Sequence, residues 1–170
     1  MDRRIRKSKN ALIHCYLDLT CKNDGIEPMV IEICEAADVN KTTFYRHYRN
    51  IDELRLEAEE VLAKQVIGEA AGFSFAKESP EKYVRWSIER FSKFQDRFIA
   101  FKNHPQEFLS VMERVTIDIY KKKYNKDVNP IVLDFIGGGL VRTFMINQPD
   151  ENVIITVSKI LTALFALRED

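Results

Sequence analysis

The sequence has little of what marks a catalytic, secreted or membrane-borne chain. Its 170 residues hold three cysteines, Cys15, Cys21 and Cys34, an odd number with no C-x-x-C pair. That excludes zinc-ribbon and redox-motif readings and a secreted disulfide framework, and leaves reduced thiols acting as small apolar side chains. The three histidines, His14, His47 and His104, stand far apart, and no H-E-x-x-H, G-x-S-x-G or phosphate-loop pattern occurs. The chain is therefore read as no enzyme, with no cofactor and no metal. Charge of one sign is also missing: 26 Lys plus Arg balance 26 Asp plus Glu, so any charge-driven function must be local. No apolar run approaches the roughly 18 residues a membrane span needs, and the charged start leads into no apolar signal core. A soluble, cytoplasmic protein without membrane contact is expected.

What is present is helical periodicity. Ile5, Leu12, Cys15, Tyr16 and Leu19 recur at threes and fours through residues 3–22, a stripe that Asn23-Asp24-Gly25 stops. Pro28 suits a first helical position, opening a short helix with Val30, Ile33, Cys34 and Ala37 on its apolar face. Asn40 is a good N-cap for residues 41–48, and the short gap Asp38-Val39-Asn40 makes the pair a helix-turn-helix candidate. A long connector over residues 51–71 follows, then helices over 80–94, 105–124, 130–147 and 151–167. The β-branched stretch Val153-Ile154-Ile155-Thr156-Val157 continues at helical spacing and is read as helix. The expected fold is all-α.

Function concentrates between Asn40 and Asn50, where N-K-T-T-F-Y-R-H-Y-R-N carries Lys41, Arg46, Arg49 and His47 without one acidic residue. On a helix Lys41, Thr42, Tyr45 and Arg46 share one side, while Phe44 and Tyr48, four apart, turn inward. That is the layout of a helix entering the major groove, with phosphate contacts fixing position and base-edge contacts reading sequence. Arg3, Arg4, Arg6, Lys7 and Lys9 form a second basic cluster, read as an arm toward backbone or minor groove.

The run Ile33-x-x-Ala36-Ala37-x-Val39-Asn40-Lys41-x-Thr43-Phe44-Tyr45-x-His47-Tyr48, followed by Glu53-Leu54, resembles the DNA-binding domain of the TetR family of bacterial transcriptional regulators over residues 5–62. The resemblance implies a TetR-like fold: a three-helix head with a helix-turn-helix over residues 1–50, joined by a long helix to an α-helical dimerisation and effector-binding body over residues 51–170. It places Lys41, Thr42 and Arg46 toward bases, and Thr43, Tyr45 and His47 at phosphate-holding or bracing positions. The chain departs from the family pattern with Met29 in place of a threonine, Asp38 in place of a turn glycine and Ile51 in place of a lysine. Backbone contact is therefore expected to lean on Arg49, Arg4 and Arg6.

By the same resemblance the partners are a palindromic double-stranded DNA operator, a second copy of the chain and a small-molecule effector. Repression is the default, with activation open. Leu140, Val141, Phe144, Ile154, Ile160, Leu161 and Leu164 would supply the dimer seam, and an intramolecular core using the same residues is the alternative. Tyr83 and Trp86, in an aromatic-rich middle, are the positions to probe for an effector pocket, and Gly137-Gly138-Gly139 suggests close helix approach. A helical interaction protein that grips another protein through this scaffold is the rival reading, which the acid-free basic segment disfavours.

Overall fold

Leu12, Ile13, Tyr16, Leu17 and Thr20 fall on one stripe of a single helix, α1 (Arg3–Lys22), and all are buried. The stripe is rotated from the expected one, since Cys15 and Leu19 sit at its margin and Ile5 is exposed. The computed structural model describes residues 3–68, 78–124 and 150–166, together with Gly139 and Thr143. The other described elements are α2 (Val30–Ala36), α3 (Lys41–His47), α4 (Ile51–Ile67), α5 (Pro80–Phe94), a 3-10 helix (Gln95–Phe101), α6 (Pro105–Tyr124) and α7 (Glu151–Ala166). No strand occurs among the described residues, and the β-branched start of α7 is helical as expected. No described helix is long and apolar enough to cross a membrane.

The chain divides into two compact units. Met1–Leu62 with Gln95–Phe108 forms the first, so the unit holding the helix-turn-helix runs past residue 50 and takes in the 3-10 helix. Here α1 packs on α2, α3 and the 3-10 helix around Phe44, Leu54, Ala58, Ala100, Phe101 and Phe108. The Phe101 and Phe108 rings stack at 4.8 Å between centroids. At the end of α1, Asp24 and Gly25 take left-handed backbone angles, φ +53° and +79°, and the Gly25 N–H returns to the Thr20 carbonyl at 2.8 Å. A Cβ at Gly25 would stand 2.7 Å from the Ile99 carbonyl oxygen, so only glycine lets the 3-10 helix lie this close.

Helix α2 starts at Val30 and not at Pro28, because Met29 is extended at φ −71°, ψ 152° and acts as the N-cap. Its thioether offers no useful acceptor, and Glu32 supplies the cap from the other side by accepting the Met29 N–H at 2.6 Å. An ionic cluster that runs from buried Glu59 out to exposed Glu27 and Asp52 ties α4 into the unit. Arg55 donates to Glu59 at 3.2 Å and to Asp52 at 3.3 Å, stands 3.8 Å from Glu27, and Tyr16 donates to Glu27 at 3.1 Å. Burial pushes the fully enclosed Glu59 carboxyl up, against the lowering pull of Arg55.

Ala63–Phe94 with Leu109–Asp170 forms the second unit, in which α5 packs on α7. Tyr83, Val84, Val111, Met112, Val115, Ile154 and Leu161 are buried there. Gly68 ends α4 at φ +68°, and Arg90 closes the exposed carbonyls of that last turn, donating to Val66 at 2.9 Å and to Gln65.

Candidate nucleic-acid interface

The site is built on a seven-residue helix, too short to hold its own shape in water. Three devices hold it. Asn40 caps the start, its Oδ1 accepting the Thr43 N–H at 2.8 Å and the Thr43 hydroxyl at 2.9 Å. Phe44, wholly buried, and Tyr48, 3% exposed, anchor the inner face with ring centroids 5.8 Å apart. Tyr48 then turns extended, and Asn50 caps α4 by accepting the Glu53 N–H at 3.0 Å.

Anchoring those two rings leaves Lys41, Thr42, Tyr45 and Arg46 exposed together, Tyr45 at 58%. This is the arrangement expected from the spacing. Thr43 is half-buried, and its hydroxyl is spent on the cap. The turn before α3 passes through Asp38 at φ +51°, the left-handed angle for which glycine is the usual residue.

The remaining basic residues divide. Arg49 is exposed, yet Glu53 accepts from both its guanidinium, at 2.5 Å, and its backbone N–H, at 2.7 Å. That pairing holds the Glu53 carboxyl below its ordinary range. Lys9 pairs with Glu57 at 2.8 Å and lies 5.7 Å from the centre of the Tyr48 ring. Arg3, Arg4, Arg6 and Lys7 are exposed, and they belong to the first turns of α1 and not to an extended arm. No acidic residue occupies that first turn, so cations stand at the positive end of the helix dipole, where an anion would be favourable.

His47 lies inside the group, with Nε2 2.8 Å from Ser8 Oγ on α1. Burial first, then Lys9 and Arg46, push its imidazole below the ordinary value, against a smaller opposing pull from Glu57. Burial and Glu57 push the Tyr48 phenol up. Sequence reading missed Ser8, Lys9 with Glu57, and Arg49 with Glu53. The pattern Asn50-x-x-Glu53 was a legible cap signal, whereas Ser8 and His47 are 39 residues apart and meet only through the fold.

Of the other expected sites, Leu140, Val141, Phe144 and the side chain of Leu164 lie outside the described residues. Ile154 and Leu161 are buried within the chain, while Ile155 and Ile160 are exposed at 43% and 46%. Tyr83 is buried and stacks on half-buried Trp86 at 6.0 Å, with burial pushing its phenol up to about 12. Gly139 is exposed and a Cβ there would meet nothing within 4 Å, so the close approach expected of the glycine run is not found at that residue. Gly137 and Gly138 lie outside the described residues. Among the described residues no group of His, Cys, Asp and Glu could hold a metal ion.

This fold has counterparts among solved structures. The chain is similar to the solved structure of a TetR transcriptional regulator from Streptococcus agalactiae 2603V, with 20% identity, 96% of each chain covered and a TM-score of 0.60. It is also similar to a transcriptional regulator of the TetR/AcrR type from Aquifex aeolicus VF5, with 16% identity, 94% of this chain and 98% of that one covered and a TM-score of 0.55. The fold is therefore the TetR regulator fold along nearly the whole chain. No family model and no curated protein matches the sequence.

Proposed function

We propose that this protein is a TetR-family transcriptional regulator that binds a palindromic DNA operator as a homodimer and represses transcription from it. The observation that carries the reading is α3: Phe44 and Tyr48 bury one face, and Lys41, Thr42, Tyr45 and Arg46 leave the other as a continuous exposed surface with no carboxylate. Lys41 and Arg46 suit guanine edges or phosphates, Thr42 and Tyr45 suit base methyls and backbone oxygens. The basic first turns of α1, including Arg4 and Arg6, add phosphate contact. Arg49 contributes by leaving Glu53.

A second copy follows from the geometry of the operator, since two heads about 34 to 36 Å apart read the two halves of a two-fold site. The exposed Ile155 and Ile160, on two sides of α7, supply apolar surface for that contact. Control by a small apolar effector in the second unit fits the stacked Tyr83 and Trp86. Trp86 is the only tryptophan in the chain, so effector binding beside it reads out as a change in native fluorescence.

The reading is tested by selecting fragments of the source genome on the purified protein at moderate salt, with Lys41→Ala/Tyr45→Ala as control. Enrichment of a palindromic site that the control loses supports it. A dimer that enriches nothing, with or without effector, contradicts it and favours a protein partner.

A further inference from the structure

His47 stands in the last turn of α3, about 160° around the helix from Tyr45 at 100° per residue. It is half-buried where Lys41, Thr42, Tyr45 and Arg46 are exposed, and its Nε2 is occupied by Ser8 at 2.8 Å. The Ser8 hydroxyl has carbonyl acceptors of its own helix at hand, Arg4 at 3.2 Å and Ile5 at 3.1 Å. With its proton turned to them, the hydroxyl offers a lone pair to the imidazole, and His47 donates through Nε2–H. Ser8 lies between the exposed cations of the first turns of α1 and the buried stripe that starts at Leu12.

We propose that His47 is a positioning residue of the DNA-reading helix, which acts through Ser8 and makes no phosphate contact, so that the Ser8–His47 hydrogen bond holds α3 and the basic start of α1 in register on one duplex. This rests on the DNA-binding reading above. The groups facing the imidazole agree with it: Lys9 on α1 and Arg46 on α3 oppose a charged ring, Glu57 on α4 is already paired with Lys9, and the Tyr48 ring lies 6.1 Å away. A neutral imidazole that has given its one N–H to Ser8 has no proton left for a phosphate.

The experiment measures affinity for the fragment enriched by the wild-type protein, across a salt series, for Ser8→Ala, His47→Ala, the double variant and His47→Gln. Unfolding midpoints confirm that each variant is folded. Ser8→Ala and His47→Ala should each weaken binding about 2- to 12-fold, the range of one lost hydrogen bond. The double variant should be no weaker than either single one, and the slope of log affinity against log salt should not change. His47→Gln, whose amide N–H can reach Ser8, should recover most of the affinity. A smaller salt slope for His47→Ala, or an unaffected Ser8→Ala, or losses that multiply in the double variant, would overturn the proposal while leaving DNA binding intact. A wild-type protein that binds no fragment would remove the DNA-binding reading and the inference with it.

Discussion

At Asp38 and Gly68 the same backbone region carries opposite consequences for substitution. Asp38 turns the chain between α2 and α3 at φ +51°, an angle that costs a residue with a side chain about 1 kcal/mol. Asp38→Gly should therefore raise the unfolding free energy by up to about 1 kcal/mol in a urea titration, with DNA affinity kept. Gly68 sits at φ +68°, and a Cβ there would stand 2.4 Å from the Arg90 guanidinium that caps α4. Gly68→Ala should cost about 1 kcal/mol through the backbone angle, the end of the Arg90 side chain being able to shift aside. His47 gives a pH dependence of known sign. Its folded value lies below the ordinary 6.5, so the folded state binds fewer protons and stability is complete above that value and falls as pH drops below it. The buried Glu59 works the other way, because burial raises its carboxyl. Comparing wild type with His47→Gln at pH 7.5 and 5.5 isolates the histidine: the variant should lose less stability on acidification, and an equal loss would show that the imidazole is not held neutral.

Among the elements, α3 depends on its cap and its two rings more than on its length. Asn40→Ala removes both contacts to Thr43 and should lower stability by about 1 kcal/mol, while weakening DNA binding because the exposed face loses its fixed pitch. Unchanged affinity would mean that the duplex itself orders the helix. This element was the most legible part of the sequence, because the Asn40 cap and the four-residue spacing of Phe44 and Tyr48 are local signals. The helical β-branched start of α7 was readable for the same reason, since its apolar residues keep a helical period. Signals that depend on distant partners were not readable. The 3-10 helix packs on α1 and against Gly25 in the turn beyond it, and nothing between Gln95 and Phe101 announces it. Met29 displaced the start of α2 from Pro28 because the Glu32 carboxylate, which periodicity does not register, takes its N–H. The pairing of Arg49 with Glu53 at the start of α4 was likewise not read from the spacing.

Across the whole molecule, net charge is zero, so the proposed DNA affinity must come from a few cations and not from a general field. Glu53 and Glu57 engage Arg49 and Lys9, so on the proposed reading Lys41 and Arg46 on α3 are the cations placed to meet phosphate. If each of two heads neutralises three phosphates, log affinity should fall with log salt at a slope of about −5. A protein-binding scaffold would show no such dependence on a duplex. The direct test is a titration of the wild-type protein against its selected palindromic fragment and a scrambled fragment of equal composition, between 50 and 200 mM salt. The account predicts a steep salt slope on both duplexes, with the palindrome bound far more tightly at every salt concentration. Equal affinity for the two duplexes, or an affinity that does not respond to salt, would contradict it.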